Sequence, residues 1–210
     1  MPNSVLYVDE HIIVAVKPAG LLAVPGRGAD KQDCLSSRLA AEYGEIHIVH
    51  RLDQATSGLM VFARSLAALR NLHAQFREGT VDKAYEAIVF GKLDLTSFAI
   101  ELPLLADWPN RPKQKVDMEN GKPSITQVEV LSFDAMTNTS RVKLLPITGR
   151  THQLRVHMQA VGHAIVGDAL YGSEATLDKA YRLMLHASQL AFAHPAANKR
   201  LSFDSEPTFT

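Results

Sequence analysis

The stretch His50-Arg51-Leu52-Asp53-Gln54-Ala55-Thr56-Ser57-Gly58-Leu59 is the point on which the fold of this chain turns. It lies between two short apolar runs, residues 46–49 and 59–63, each with the length and composition of a strand. A carboxylate flanked by Arg and His, then Thr-Ser-Gly, is poor material for continuing either strand. Gly58 and the two hydroxyl residues suit a tight bend instead. The expected geometry is a carboxylate on a rigid strand edge, held where a bound molecule can reach it. Such a group serves as nucleophile, general base or electrostatic stabiliser. An Asp beside a turn also serves as a cap or an ion-pair partner.

Outward from this point the pattern is mixed. Residues 6–8 and 12–16 read as an opening hairpin around Asp9-Glu10-His11, and Lys17-Pro18-Ala19-Gly20 closes it. Asp33 is the expected cap of a helix running to about Tyr43, with Leu35, Leu39 and Tyr43 on one face and Gly44 as its stop. Ser65 is the expected cap of a second helix, with Leu69, Leu72 and Phe76 as its stripe and Gly79 as its stop. Residues 81–90, 125–133, 140–145, 183–192 and 201–203 read as strands. Thr148 or Thr151 is the expected cap of a helix ending near Gly162. On it Leu154, Met158 and Val161 share one face, and His152, Arg155 and Gln159 another. That polar face is either solvated or equipped for a ligand or a partner carboxylate. Short strands mixed with three or four helices, without regular βαβ alternation, point to an α+β fold with a mixed, largely antiparallel sheet flanked by helices.

Residues 106–123 break the pattern. Three prolines and Asn120-Gly121 exclude a helix, and Arg111, Lys113 and Lys115 fall within five residues and are read as having no acid nearby. This is either a solvated loop or an arm that tracks a phosphate backbone. Trp108 beside Pro109 adds a flat surface that packs inward or stacks.

Composition narrows the functions. At 210 residues the chain fits one large domain or two intimately joined halves, long enough to bury roughly 70% of its unfolded surface without a staple. The single Cys34 has no partner within the chain, no apolar run reaches a membrane span, and charged residues come too early for a signal peptide. A cytoplasmic monomer is expected, with no membrane partner. Net charge is zero, 22 basic against 22 acidic residues, which disfavours nucleic acid unless charge is segregated by face. The nine His show no His-Glu-x-x-His spacing, so no metal is expected, and no dinucleotide, Walker or serine-hydrolase signature is present. By elimination the catalytic inventory is carboxylate, Tyr, Arg and His, without a cofactor.

His50-Arg51-Leu52-Asp53-x-x-Thr56-Ser57-Gly58-Leu59 resembles the signature of the RluA-type pseudouridine synthases. Lys17-Pro18-x-Gly20, Lys83-x-Tyr85, Gly149-Arg150-Thr151-His152-Gln153-Leu154-Arg155, Gly167-Asp168-x-Leu170-Tyr171-Gly172 and Leu183-x-Leu185-His186-Ala187 resemble further family motifs, in family order. Leu154 stands where many members have Ile. The resemblance implies the pseudouridine synthase catalytic fold with an active-site cleft, a single catalytic domain over residues 1–210, and no cofactor. It gives Asp53 the catalytic role, Arg155 that of its charge-assisted partner, and Tyr85 stacking on the base and help with the C5 proton. Arg51 fills the gap left by the flipped nucleotide, and His50, Leu185, Arg111, Lys113 and Lys115 are expected to meet substrate. The expected partner is structured RNA. With no S4 domain expected ahead of residue 1, and with Asp107-Trp108-Pro109-Asn110-Arg111-Pro112-Lys113-Gln114 present, the chain resembles the RluA subfamily, which acts on large-subunit rRNA and the tRNA anticodon stem-loop. A synthase for a single tRNA or rRNA site, a non-catalytic RNA-binding protein and a glycosidic hydrolase are the alternatives. The hydrolase would need a second carboxylate, for which Asp168 is the nearest candidate.

Overall fold

Strands that are apolar on both faces organise the first half of the computed structural model, which describes residues 4–197 and 199–209. The chain divides into two compact units, residues 1–83 with 186–210, and residues 84–185.

In the first unit, β1 (Ser4–Val8) and β2 (Ile12–Lys17) form the expected antiparallel hairpin. β4 (Ser57–Ala63) pairs antiparallel with β2 along its whole length, and all seven of its residues are buried. Its other edge is shared. β3 (His47–Ile48) covers the last residues, and the start of β11 (Leu185–Ala193) pairs in parallel at Ser57↔His186 and Ala187↔Gly58. β12 (Arg200–Asp204) closes onto β11. Ile12, Val14, Leu59, Val61 and Phe192 face α2 (Leu66–Glu78) through Ala68 and Leu72, forming the core.

Both ends of α2 are as expected: Ser65 accepts the Ala68 N–H, and Gly79 takes the left-handed conformation that terminates the helix. The cap of α1 (Leu35–Tyr43) differs. Cys34 is the N-cap, its sulfur accepting the Ser37 N–H, while Asp33 makes a two-pronged ion pair with Arg38. A nearby guanidinium outbids the backbone for a carboxylate because the bond is charge-assisted.

In the second unit β5 (Asp82–Phe90), β10 (Thr139–Pro146), β9 (Ile125–Asp134) and β6 (Ser97–Glu101) lie side by side, with antiparallel pairing between β5 and β10, β10 and β9, and β9 and β6. β7 (Leu104–Ala106) and β8 (Gln114–Val116) form a separate two-stranded arm. α3 (Gln153–Ala160) contacts β8, β9 and β10; α4 (Glu174–Leu177) is a single turn. Neither Thr148 nor Thr151 caps α3. His152 does so in a left-handed conformation, φ 54°, without a side-chain cap bond. Thr148 is occupied elsewhere, accepting the Ile125 N–H and donating to Gln153 Oε1. Gln153 uses all of its amide: Oε1 also accepts the Arg150 N–H, and Nε2 donates to Ile125 O and Thr126 Oγ1. The 148–152 loop is thereby clamped to the start of β9.

Candidate active site

Asp53 sits in a turn closed by the Thr56 N–H donating to the Asp53 carbonyl, just before β4 begins. The residue is half-buried, Arg51 before it is exposed, and Leu52, Thr56 and Ser57 are buried. The turn therefore presents a carboxylate and a guanidinium while its apolar and hydroxyl residues anchor it.

Two devices hold the turn. Lys17, at the end of β2, is fully buried, and its ammonium donates to three backbone carbonyls: Pro18 at 2.9 Å, Leu21 at 2.7 Å and Gln54 at 2.9 Å. Gly20 and Gln54 add a reciprocal pair, Gly20 N to Gln54 O and Gln54 Nε2 to Gly20 O. The residue after Asp53 is thus fixed to the Lys17-Pro18-Ala19-Gly20 turn. Downstream, the Ser57 hydroxyl lies 2.8 Å from His186 Nδ1, and His186 Nε2 lies 3.1 Å from the Ser205 carbonyl. A carbonyl only accepts, so Nε2 carries the proton and Nδ1 accepts from Ser57. Gly58 has φ 117°, and a Cβ there would collide with the backbone of Ala187, so the parallel pairing of β4 with β11 requires glycine.

His50 is anchored within its own unit. Its Nε2 accepts the Val61 N–H, its ring stacks on Phe76 at 4.8 Å, and Lys83 lies over the same Phe76 ring. Burial, reinforced by the charge of Lys83, pushes its pKa down to about 3, so the imidazole is neutral at physiological pH. Burial also lowers the pKa of Lys83.

In the second unit Tyr85 is half-buried on β5, opposite Leu144 of β10, and Leu185 is buried. Arg155 is buried on α3 and forms a two-pronged pair with Asp168, Nε to Oδ2 at 2.8 Å and NH2 to Oδ1 at 2.7 Å. Asp168 is completely buried and also accepts the N–H groups of Leu170 and Tyr171. The carboxylate that the polar face of α3 called for is therefore present within its own unit. Tyr171 lies beside the Arg155 guanidinium, its hydroxyl accepting the Gln114 N–H at 2.7 Å and meeting His152 Nδ1 at 2.8 Å. One phenol thus joins the base of the arm to the 149–155 motif.

The arm corrects one reading of the sequence. Lys115 has an acid at hand, Asp117 at 3.3 Å, whereas among the described residues Arg111 and Lys113 form no ion pair. Also among the described residues, no cluster of three or more His, Cys, Asp or Glu is placed to hold a metal, and no helix is long and apolar enough to cross a membrane.

The family described as RNA pseudouridylate synthase matches residues 11–160, a span holding Asp53, Tyr85 and Arg155. The chain belongs to the RNA pseudouridylate synthase family. As a member it is an enzyme that isomerises uridine in RNA to pseudouridine. It is 49% identical over 205 residues to the Dual-specificity RNA pseudouridine synthase RluA of Escherichia coli strain K12, covering 98% of this chain and 93% of that one. Identity to the protein of the same name from Salmonella typhi is 51% over 199 residues, 95% and 90% of the two chains. Among solved structures, Human RNA Pseudouridylate Synthase Domain Containing 1 superposes with a TM-score of 0.83 at 29% identity, covering 99% of this chain and 84% of that one. Human RNA Pseudouridylate Synthase Domain Containing 4 gives 0.77 at 27%, covering 97% and 88%. The pseudouridylate synthase fold, with its largely antiparallel sheet and, among the described residues, four α-helices, agrees with the α+β expectation.

Sequence reasoning passed over Lys17, Tyr171, His186 and Gln153 as working parts. A lysine completing the apolar run Ile-Ile-Val-Ala-Val was the available signal for the first; the other three stood in quoted motifs, but the partners of Tyr171 and His186 are distant in sequence.

Proposed function

We propose that Asp53 is the catalytic carboxylate of uridine isomerisation and that the substrates are structured RNAs of two classes, a large-subunit rRNA hairpin and the tRNA anticodon stem-loop. The observation that carries the first part is the half-buried Asp53 in a turn whose neighbour, Gln54, is gripped by a buried lysine. The second part rests on the likeness to relatives named dual-specificity synthases.

The reaction is balanced within the substrate. The N1–C1′ bond breaks, the uracil turns, C5 bonds to C1′, the C5 proton leaves and N1 gains one. Nothing is oxidised and no group is imported. Asp53 attacks C1′ or C6, or stabilises positive charge developing on the sugar, as a glycosidase carboxylate does. Arg51, exposed two residues before it, offers a guanidinium plane to the gap left by the extruded base. Tyr85 and Arg155 keep the roles of base-stacking group and charge-assisted partner, and Arg111 and Lys113 contact phosphates. The hydrolase alternative is weakened because Asp168, its candidate acid, is sealed in the ion pair with Arg155.

Asp53→Asn is expected to abolish pseudouridine formation, read by tritium release from C5-labelled uridine RNA, while RNA affinity stays within about tenfold. Substantial turnover by this variant removes Asp53 from the chemistry. Pseudouridine mapping of total RNA from cells with and without the protein tests the substrates. Loss of signal in both an rRNA hairpin and tRNA anticodon loops is expected; loss at tRNA elbow or acceptor-stem positions alone refutes the dual assignment.

A further inference from the structure

Trp108 is the only tryptophan of the chain, and it is 64% exposed. A large aromatic ring in water is unfavourable unless something covers it. Here one face is occupied from within: the Arg111 guanidinium carbon lies over the Trp108 ring, 3.5 Å from its centroid, at cation–π distance. The turn that carries both residues is braced. Asp107 N donates to Lys113 O, Lys113 N to Asn110 O, Asn110 N to Asp107 O, and the Asn110 amide to the Asp107 carboxylate. Ring and guanidinium are therefore ordered before any partner arrives, which lowers the entropy cost of binding. The strands that present this turn are tied down at Gln114 by the Tyr171 hydroxyl.

We propose that the Trp108–Arg111 stack is a platform for an unpaired RNA base, distinct from the base undergoing isomerisation. This rests on the reading of the protein as an RNA-modifying enzyme and deepens it by naming what the arm recognises. The chemistry fits one partner class. The indole surface takes a base face, the exposed Arg111 guanidinium offers N–H groups to phosphate oxygens, and Lys113, which like Arg111 has no ion pair among the described residues, adds a second cation. A base within a closed duplex has no free face to offer, so the platform selects loops, where bases splay outward.

Being the sole tryptophan, Trp108 reports on its own occupancy. Intrinsic fluorescence is titrated with a synthetic RNA hairpin and with a blunt RNA duplex of equal length, using the intact chain and its Asp53→Asn form. Anisotropy of labelled RNA supplies affinity independently. The expected result is saturable quenching by the hairpin, with the same midpoint as anisotropy, and little quenching by the duplex. Trp108→Ala should weaken hairpin binding about tenfold or more, and Trp108→Phe should recover part of that. Hairpin binding seen by anisotropy without a change in fluorescence overturns the platform, as does equal quenching by the duplex. Wild-type affinity in Trp108→Ala overturns it too; a thermal melt identifies a misfolded variant, for which Trp108→Phe is then decisive. Failure of the isomerase reading looks different: the hairpin quenches and binds, but no tritium is released.

Discussion

The turn that carries Asp53 and the arm that carries Trp108 use the same kinds of residue in opposite ways. At the turn a lysine is buried completely, and its ammonium is absorbed by three carbonyls. On the arm, Arg111 is exposed and Lys113 half-buried, neither with an ion pair among the described residues, and an indole is left in water. A buried charge fixes backbone and contributes nothing to long-range attraction; an exposed one does the reverse. The difference separates chemistry from capture: the turn should fail in stability and turnover, the arm in affinity and salt dependence.

The largest break is expected at the buried pair of the second unit. Asp168→Ala removes the carboxylate that holds the Arg155 guanidinium in two prongs and strips the acceptor from two N–H groups. A loss of about 3–5 kcal/mol is expected in chemical denaturation, because removing one partner of a buried ion pair is costly. A loss below 1 kcal/mol would mean that water reaches the guanidinium readily. Lys17→Met comes next. It takes a donor from three carbonyls, of which only that of Gln54 keeps another in the Gly20 N–H, and an unmet buried acceptor costs about 1–3 kcal/mol. About 3 kcal/mol of stability should go, together with a fall in turnover larger than any change in RNA affinity. Intact turnover would show that the Asp53 turn holds its shape without the latch.

These two sites also mark how far sequence reaches. The bend at Asp53, the hairpin β1–β2 and both ends of α2 were legible because local rules decide them: Gly, Ser and apolar alternation act over a few residues. The cap of α3 was misread because Thr148 and Thr151 look equivalent to Asp or Ser at an N-terminus. What excludes Thr148 is Gln153 and the start of β9, and the latter is more than twenty residues away. β6 and the arm strands β7 and β8 were missed for a related reason, since strands of three to five residues, the last two set between prolines, carry little alternation to read. The Arg155–Asp168 pair combined both situations. The polar face of α3 announced a need for a carboxylate, but only the fold could say which one.

A pH titration sharpens the comparison at intermediate size. His50 is held neutral in the folded protein with a pKa of about 3, against about 6.5 when exposed. Between these values the unfolded chain binds the extra proton, so His50 makes stability fall as pH drops from 6.5 towards 3, by up to about 1.4 kcal/mol per pH unit. His50→Gln keeps an acceptor within reach of Val61 but cannot titrate. Its stability relative to the wild type should therefore improve steadily as pH is lowered from 7 to 4. A constant difference across that range would mean that the imidazole accepts a proton in place.

The arm should give the smallest change in stability and the clearest in salt. Arg111 and Lys115 are exposed and Lys113 is half-buried, so replacing any of them singly by Ala should move stability by no more than about 0.5 kcal/mol. The slope of log affinity against log salt is where they differ. A cation that neutralises a phosphate releases counterions and adds roughly 0.7–0.9 to the magnitude of that slope. Arg111→Ala and Lys113→Ala should each lower it by about this amount. Lys115 is already matched by Asp117 at 3.3 Å. To meet a phosphate it must exchange one anion for another, so the net release is smaller. Lys115→Ala should lower the slope by about half as much or less, and Asp117→Asn should restore Lys115 to parity with its neighbours. Equal effects from all three single variants would mean that the Lys115–Asp117 pair opens whenever RNA binds, and that charge spacing along the arm, not pairing, sets its grip.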